Sequence, residues 1–252
     1  MVTVETRNLS IGYTKPLFTG LNLQMHSGQM VALLGLNGAG KSTLLKTLCG
    51  FLKPLEGDVA VMGKSISTYQ RSRLATIVGV VLTERTSAGG MSVFDLVSMG
   101  RYPHTDFLGK LKDSDIDAIN SALNAVGISH KANNALAQLS DGERQKAFIA
   151  KALAQQCPVI ILDEPTAFLD VKSRIETMDL LSNLAHEQSK TILLSTHDLD
   201  TALRSADMLW VADSAGKRVE CGTAGELLET DIFGRIFGPK VAEMVYSSVR
   251  GK

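Results

Sequence analysis

The chain has 252 residues, 44% of them hydrophobic and 21% charged, which suffices for one large α/β domain with a full core. Lys+Arg and Asp+Glu both number 26, and this balance gives no reason to expect a nucleic-acid partner. The cysteines, Cys49, Cys157 and Cys221, match neither a metal-binding spacing nor a disulfide framework. No apolar run approaches the roughly 18 residues of a membrane span, and the N-terminus lacks signal-peptide features. The sequence therefore predicts a soluble chain that would need a partner to act at a membrane.

Short strands are predicted over residues 1–30, where apolar and polar side chains alternate, as at Val2 and Val4. Tyr13 lies in a turn-rich part of this region. An aromatic ring there can cover a sheet edge or stack on an adenine ring. The phosphate-binding sequence that follows favours stacking.

A glycine-rich segment lies between Met30–Leu34, which predicts a buried strand, and Leu44–Leu48, which predicts a helix. Its G-x-x-x-x-G-K-S spacing is that of loops whose backbone N–H groups and following helix cradle phosphates. Lys41 can bridge the β- and γ-phosphates, and the Ser42 hydroxyl can ligate Mg²⁺. A glycine-rich turn without a ligand would not need these two residues. The predicted nucleotide-binding residues, here called the phosphate loop, are Gly35, Leu36, Asn37, Gly38, Ala39, Gly40, Lys41, Ser42 and Thr43.

Strands are predicted next over 59–63 and 77–82, with a helix over 67–74 between them. Polar and small residues at 83–90 interrupt this pattern. Helical spacing then continues through residues 91–155, and one predicted helix face consists of Ile116, Ile119, Leu123 and Val126.

A second apolar run, from Pro158 to Leu162, predicts a buried strand that ends in Asp163 and Glu164. In an enzyme with a phosphate loop, the strand-end Asp163 would hold Mg²⁺ together with Ser42. Glu164 could orient or deprotonate an attacking water. The alternative is a solvated acidic turn, but the strand before it and the phosphate loop upstream favour a catalytic pair.

Helices and strands alternate after the acidic pair. A helix with Val171, Ile175, Met178 and Ser182 on one face is predicted, then a strand over 191–195, which His197 follows. Residues 199–206 predict a helix, late strands follow, and the tail from 225 predicts further helices.

The segment Leu139–Glu143, here called the signature segment, has two compatible interpretations. Ser140 with Glu143 three residues later is a capping box that opens a helix. That interpretation leaves Asp141 and Gly142 unexplained. Together with the phosphate loop and the acidic pair, the segment resembles the signature motif of ATP-binding-cassette (ABC) ATPases, and the resemblance extends over essentially the whole chain.

This resemblance implies a P-loop NTPase fold of class α/β: a RecA-like core with an antiparallel β subdomain (residues 1–85 and 156–252) and an inserted helical subdomain (86–155). It also implies that two copies bind head-to-tail with ATP between them. Each ATP would contact the phosphate loop of one copy and Ser140, Asp141, Gly142 and Glu143 of the other.

Further site residues follow from the same resemblance. Tyr13 matches the family's adenine-stacking aromatic, and His197 matches the histidine that contacts the γ-phosphate. The segment Ala167–Asp170, here called the coupling loop, matches the loop that couples the two active sites, with Asp170 as its acidic member. Catalysis would then rest on Glu164, His197 and Lys41.

One position departs from the family pattern. The residue aligned with the family's Gln, which contacts Mg²⁺ and water, is Glu84. A carboxylate keeps the acceptor oxygens, adds a charge and loses the N–H donors. Glu84 is therefore predicted either as a metal ligand or as a surface residue that has lost this contact.

The segment Gly100–His104 resembles importers of iron–siderophore, haem and cobalamin complexes, although it could be an ordinary loop. The resemblance implies an ATPase on the cytoplasmic face of the membrane, with permease subunits and, indirectly, a solute-binding protein as partners. The alternatives are an importer ATPase for another solute, a soluble ABC ATPase without a permease, and a cassette that binds ATP without hydrolysing it.

Overall fold

The computed structural model of the protein describes residues 1–82, 90–106 and 109–250. Up to residue 82 the elements are β1 (Val2–Gly12), β2 (Pro16–Leu21), β3 (Gln24–His26), β4 (Met30–Leu34), α1 (Lys41–Leu48), β5 (Glu56–Val61), β6 (Lys64–Ser65), α2 (Arg71–Leu74) and β7 (Val78–Val81). From residue 90 they are α3 (Val93–Ser98), α4 (Asp113–Ala125), α5 (Asp141–Ala154), β8 (Val159–Leu162), α6 (Val171–His186), β9 (Thr191–Thr196), α7 (Leu199–Ser205), β10 (Met208–Asp213), β11 (Arg218–Gly222), α8 (Ala224–Leu228), α9 (Ile232–Phe237) and α10 (Pro239–Arg250). Short 3₁₀ turns occur at Ile66–Thr68, Met99–His104, Ser129–Lys131 and Leu136–Gln138.

The chain divides into two compact units. The first contains residues 1–68 and 181–252, and the second contains residues 69–180. The predicted helical insertion, residues 86–155, falls inside the range of the second unit. Its exact boundaries stay a prediction.

An antiparallel sheet in the first unit is built around the long strand β1. β1 pairs with β2, β3 and β5, and β5 pairs in turn with β6. The register of β1 against β5 shifts between Arg7 and Ser10, where Asn8 has a φ of +45°. Val4 and Leu9, which lie on either side of this shift, are both buried.

Parallel strands form the other sheet of the first unit. β4 lies between β9 and β10 and runs parallel to both, and β11 adds antiparallel to β10. All five residues of β4 are fully buried, which explains why its sequence is continuously apolar rather than alternating. Helices α7 to α10 cover part of this sheet, and a core cluster joins residues such as Leu34 and Val211 to Phe233 and Val245.

The second unit contains the parallel pair β7 and β8, and helices α3, α4 and α5. The predicted helical region 91–155 is confirmed in its described parts, with 3₁₀ turns between the helices. On α4, Ile119 and Leu123 are buried, whereas Ile116 is 38% exposed. The predicted apolar face is therefore correct over most of its length.

Two predicted elements differ from the structure. The helix predicted over 67–74 is a 3₁₀ turn followed by the four-residue α2, and the strand predicted over 59–63 lies at Glu56–Val61. The predicted face of α6 is buried only in part: Met178 is 1% exposed, whereas Val171 and Ile175 are 70% and 53% exposed. Periodicity places residues on one face, but a neighbouring element must cover that face to bury them.

Within the described ranges, no helix combines the length and apolar character that a bilayer crossing requires.

Candidate nucleotide-binding site

The phosphate loop leaves the carboxyl end of β4 and ends in α1, as the sequence predicts. Gly38 and Gly40 have φ values of +77° and +95°, which glycine adopts without the strain that a side chain would cause. A Cβ on Gly40 would also lie only 3.1 Å from a ring carbon of Phe18. Gly40 is the N-cap of α1 and supplies no side chain to cap it. The first N–H groups of α1 can therefore bind an anion.

Lys41 begins α1 and is 94% buried, with an exposed fraction of 6%. Its Nζ donates hydrogen bonds to the Gly35 carbonyl oxygen at 2.8 Å and to the Leu36 carbonyl oxygen at 3.2 Å. These bonds fold the amine back over the loop and hold a positive charge beside the N-terminus of α1. A charged donor held in place in this way needs little further ordering when a phosphate binds.

His197 lies at the same edge of the parallel sheet as the phosphate loop. Leu34 at the end of β4 pairs in register with Thr196 at the end of β9. Gly35 directly follows β4 and His197 directly follows β9. Ligands of parallel sheets bind at the carboxyl ends of the strands, which is where both residues lie. The other predicted site residue of this unit, Tyr13, lies in the turn between β1 and β2 and is 64% exposed.

Asp163 and Glu164 follow β8 in the second unit, as predicted. The Asp163 N–H donates to the Val81 carbonyl oxygen at 2.9 Å, so the pairing of β7 and β8 extends to the first carboxylate. Glu164 has a φ of +48°, a left-handed conformation that is uncommon for a residue with a side chain. Such conformations concentrate at functional sites, where the surrounding structure maintains them. Both side chains are half-buried.

The capping box predicted in the signature segment is confirmed. The Ser140 hydroxyl accepts a hydrogen bond from the Glu143 N–H at 3.2 Å, and the Ser140 N–H donates to the Glu143 carboxylate at 3.0 Å. The backbone bond from Ser140, more than the charge of Lys131, holds the pKa of Glu143 below its usual range. The Glu143 carboxylate thus serves the start of α5, while the Ser140 side chain stays exposed at the helix N-terminus.

Asp170 at the end of the coupling loop caps α6 in a similar way. Its two carboxylate oxygens accept from the Ser173 N–H at 2.9 Å and from the Ser173 hydroxyl at 2.8 Å. These bonds, the backbone one first, hold the pKa of Asp170 below its usual range. Phe168 in the same loop is 70% exposed and has a φ of +67°.

Glu84, the predicted departure from the family pattern, lies outside the described residues. The structure therefore leaves both interpretations of Glu84 as predictions.

The Gly100–His104 segment packs against the C-terminal end of α5. Arg101 is buried; its Nε lies 2.9 Å from the Asp115 carboxylate, and its Nη1 donates to the Ala154 carbonyl oxygen at 2.7 Å. His104 Nε2 lies 2.9 Å from the Gln155 carbonyl oxygen. These contacts satisfy carbonyl groups that a helix leaves unpaired at its end. Three residues of the segment thus have structural roles. Arg101 and His104 make these bonds, and a Cβ on Gly100 would clash with the Lys151 carbonyl oxygen.

Sequence reasoning missed two supports of the site. Asp207 accepts a hydrogen bond from the Met30 N–H at 2.8 Å, which fixes the start of β4, and His186 Nε2 lies 3.0 Å from the same carboxylate oxygen. This long-range contact has no local sequence signal. Ser173 was missed as well, although the Asp-x-x-Ser spacing from Asp170 is a recognisable capping pattern.

Comparison with known proteins agrees with this geometry. The model of the family described as ABC transporter matches residues 18–167, which is more than half of the chain. The chain belongs to the ABC transporter family. As a member of it, the chain binds nucleotide and is an ATPase of the transport class.

Relatives within the ABC transporter family match almost the full chain. An uncharacterised ABC transporter ATP-binding protein of Methanocaldococcus jannaschii is 41% identical over 98% of this chain and 85% of its own length. The ferric enterobactin transport ATP-binding protein FepC of Escherichia coli is 37% identical over 91% of this chain and 85% of its own length. A solved structure assigned to a metal-chelate type ABC transporter, in an inward-facing conformation, matches with a TM-score of 0.83 and 31% identity, covering 94% of this chain and 88% of its own. The α/β P-loop NTPase fold with a helical subdomain is thereby established for this ABC ATPase.

Proposed function

We propose that this ABC ATPase drives uptake of an iron–siderophore complex through a membrane permease. The observation that carries the ATPase part of the proposal is the phosphate loop, which combines left-handed glycines, the uncapped N-terminus of α1 and the buried Lys41 amine. The likeness to a ferric enterobactin transport protein over 91% of the chain supports the siderophore class. Haem and cobalamin complexes are the other solutes that the sequence admits.

The residues of the phosphate loop bind the triphosphate, and Tyr13 stacks on the adenine. The Lys41 amine exchanges its bonds to backbone carbonyls for bonds to the β- and γ-phosphate oxygens. His197 contacts the γ-phosphate from the end of β9. Glu164 holds the attacking water and accepts its proton, a role that suits a half-buried carboxylate next to the strand-end Asp163.

The donor set fits Mg²⁺. The Ser42 hydroxyl and the Asp163 carboxylate are hard oxygen ligands of the kind that Mg²⁺ prefers, and Glu84 is the third predicted ligand. When bound, Mg²⁺ supplies positive charge that offsets the charge on the phosphate oxygens.

The working unit is a homodimer. The exposed Ser140 and the Asp141–Glu143 turn complete the site of a second copy, and Asp170 and the exposed Phe168 contact that copy. Permease subunits bind the dimer, so the chain is a peripheral protein at the cytoplasmic face of the membrane. A solute-binding protein delivers the solute to the permease. No nucleic acid takes part.

The Glu164→Gln variant tests the catalytic assignment. It removes the base but leaves the phosphate contacts, so steady-state ATPase activity should fall by about 100-fold or more while ATP still binds. ATP should then trap a stable dimer in gel filtration. Glu187→Gln, at an exposed glutamate, is the matched control and should keep normal turnover. Normal hydrolysis by Glu164→Gln would refute the assignment of Glu164.

Uptake of radiolabelled iron tests the transport proposal. Cells that express this ATPase with its permease should accumulate iron supplied as a ferric siderophore, and cells with the Glu164→Gln variant should not. Failure to co-purify with any permease would instead favour a soluble ABC ATPase. Uptake of labelled cobalamin or haem alone would reassign the solute and leave the ATPase role intact.

A further inference from the structure

Gly142 of the signature segment lies against Ser173 of α6. Gly142 is the second residue of α5 and is buried. A Cβ at this position would lie 2.6 Å from the Ser173 Oγ and 3.0 Å from the Ser173 Cβ. Its φ is not left-handed, so the glycine is required by this close approach and not by backbone conformation. The first turns of α5 and α6 therefore touch through this Gly–Ser pair.

Ser173 is also the residue that fixes Asp170. Its N–H and its hydroxyl each donate to a different oxygen of the Asp170 carboxylate, at 2.9 and 2.8 Å. Two bonds from one residue fix both the position and the rotation of the carboxylate, although Asp170 itself is exposed. One side chain thus contacts the signature segment on one side and the coupling loop on the other.

A second contact keeps the two helices in this register. The Lys146 Nζ lies 2.7 Å from the Glu176 carboxylate, about one turn further along each helix. The Thr177 hydroxyl donates to the Ser173 carbonyl oxygen at 2.8 Å, which ties the first turn of α6 to the next. Ser173 consequently has little freedom to move apart from α6.

We propose that Ser173 is a positioning residue that joins the signature segment and the coupling loop of one subunit into a single body. Both segments face the second copy in the proposed homodimer, and the inference rests on that proposed function. When the signature segment contacts the γ-phosphate of an ATP bound to the phosphate loop of the partner copy, Ser173 also fixes the position of Asp170. Ser173 acts on dimer closure and not on the binding of ATP to the phosphate loop of its own subunit.

Dimer trapping in the Glu164→Gln background tests this role. Adding Ser173→Ala removes the hydroxyl that contacts both segments and keeps the backbone bond to Asp170. The ATP concentration that gives half-maximal dimer should rise roughly threefold to tenfold, the range produced by losing one hydrogen bond. ATP affinity, measured by a fluorescent analogue with dilute monomeric protein, should stay unchanged, as should the melting temperature within about 2 °C. Asn183→Ala, at an exposed position of the same helix, is the matched control and should leave all three values unchanged.

A double-mutant cycle with Gly142→Ala provides an independent measurement. Gly142→Ala alone should impair dimer trapping because its methyl group meets the Ser173 oxygen. In the presence of Ser173→Ala that oxygen is gone, so the further loss caused by Gly142→Ala should be smaller. Equal losses in both backgrounds would overturn the proposed contact.

The outcomes separate the inference from the proposed function. If the Glu164→Gln parent dimerises with ATP and adding Ser173→Ala changes nothing, the positioning role of Ser173 is wrong and the dimer mechanism stands. If the parent itself does not dimerise, both are wrong. A loss of ATP affinity in the monomer equal to the loss of dimer would show a general structural defect and would also overturn the inference.

Discussion

Replacing Arg101 by Met should destabilise the protein strongly. The guanidinium and the Asp115 carboxylate lie 2.9 Å apart, with side chains only 6% and 4% exposed. Arg101→Met keeps the length of the side chain but leaves a buried carboxylate without its ion-pair partner and the Ala154 carbonyl oxygen without its donor. Removing one partner of a buried pair costs about 3–5 kcal/mol. We therefore expect the urea midpoint to fall by roughly 1 M or more.

The matched control is Arg204→Met. Arg204 and Asp200 are also 2.9 Å apart, but their side chains are 48% and 50% exposed. Exposed pairs contribute little because water screens them and the side chains lose entropy. This variant should unfold at nearly the same urea concentration as the wild type. The two ion pairs have the same N–O distance and differ in burial and in the additional bond of Arg101 to the Ala154 carbonyl oxygen.

The pH dependence gives a second check on the same pair. The Lys112 N–H and then Arg101 hold the pKa of Asp115 below its ordinary value of 3.8. The stability that ionised Asp115 contributes is therefore present above pH 3.8 and is lost as the pH falls through the lowered pKa. In Arg101→Met, protonation of Asp115 removes the unpaired buried charge. The loss in free energy of unfolding relative to wild type should therefore become smaller as the pH falls. A deficit below about 1 kcal/mol at neutral pH, or one that grows in acid, would refute this reasoning.

Two further predictions concern the nucleotide site. Lys41→Ala should weaken ATP binding by roughly 10-fold to 100-fold, because charge-assisted bonds of this kind are worth about 1.5–3 kcal/mol. Calorimetry measures the affinity, with Lys46→Ala as the control. An unchanged affinity of Lys41→Ala would count against the phosphate-loop assignment. If Glu84 is the predicted Mg²⁺ ligand, Glu84→Gln should retain or exceed wild-type turnover, since it removes one of three carboxylates proposed for the site, whereas Glu84→Ala should lose activity. Metal-dependence curves of the three proteins check this, and wild-type hydrolysis by Glu84→Ala would make Glu84 a surface residue.

Local sequence signals predicted the parts of the site that depend on local chemistry. The strand, loop and helix around Gly35–Thr43 and the capping box of Ser140 and Glu143 depend on residues within a few positions of each other, and both are observed. The roles of the site residues toward nucleotide and metal stay predictions, because they concern groups outside the chain.

Features that depend on distant neighbours were not predictable in this way. The ion pair of Arg101 with Asp115 and the contact of Gly142 with Ser173 arise only when separate helices pack. The positive φ of Glu164 is maintained by the surrounding fold, since glutamate has no intrinsic preference for it. The exposure of Val171 and Ile175 likewise depends on whether another element packs against that face of α6.

The central position of β4 links nucleotide supply to the lifetime of the protein. The phosphate loop continues directly from this fully buried strand, which is paired on both sides, so the loop is lost when the centre of its unit unfolds. A ligand that binds only the folded state stabilises it by about 2.7 kcal/mol at 100 times its dissociation constant. ATP is thus also a folding ligand, and a cell that exhausts its ATP would expose more of this chain to proteolysis, which would reduce the amount of this ATPase when it can no longer be powered.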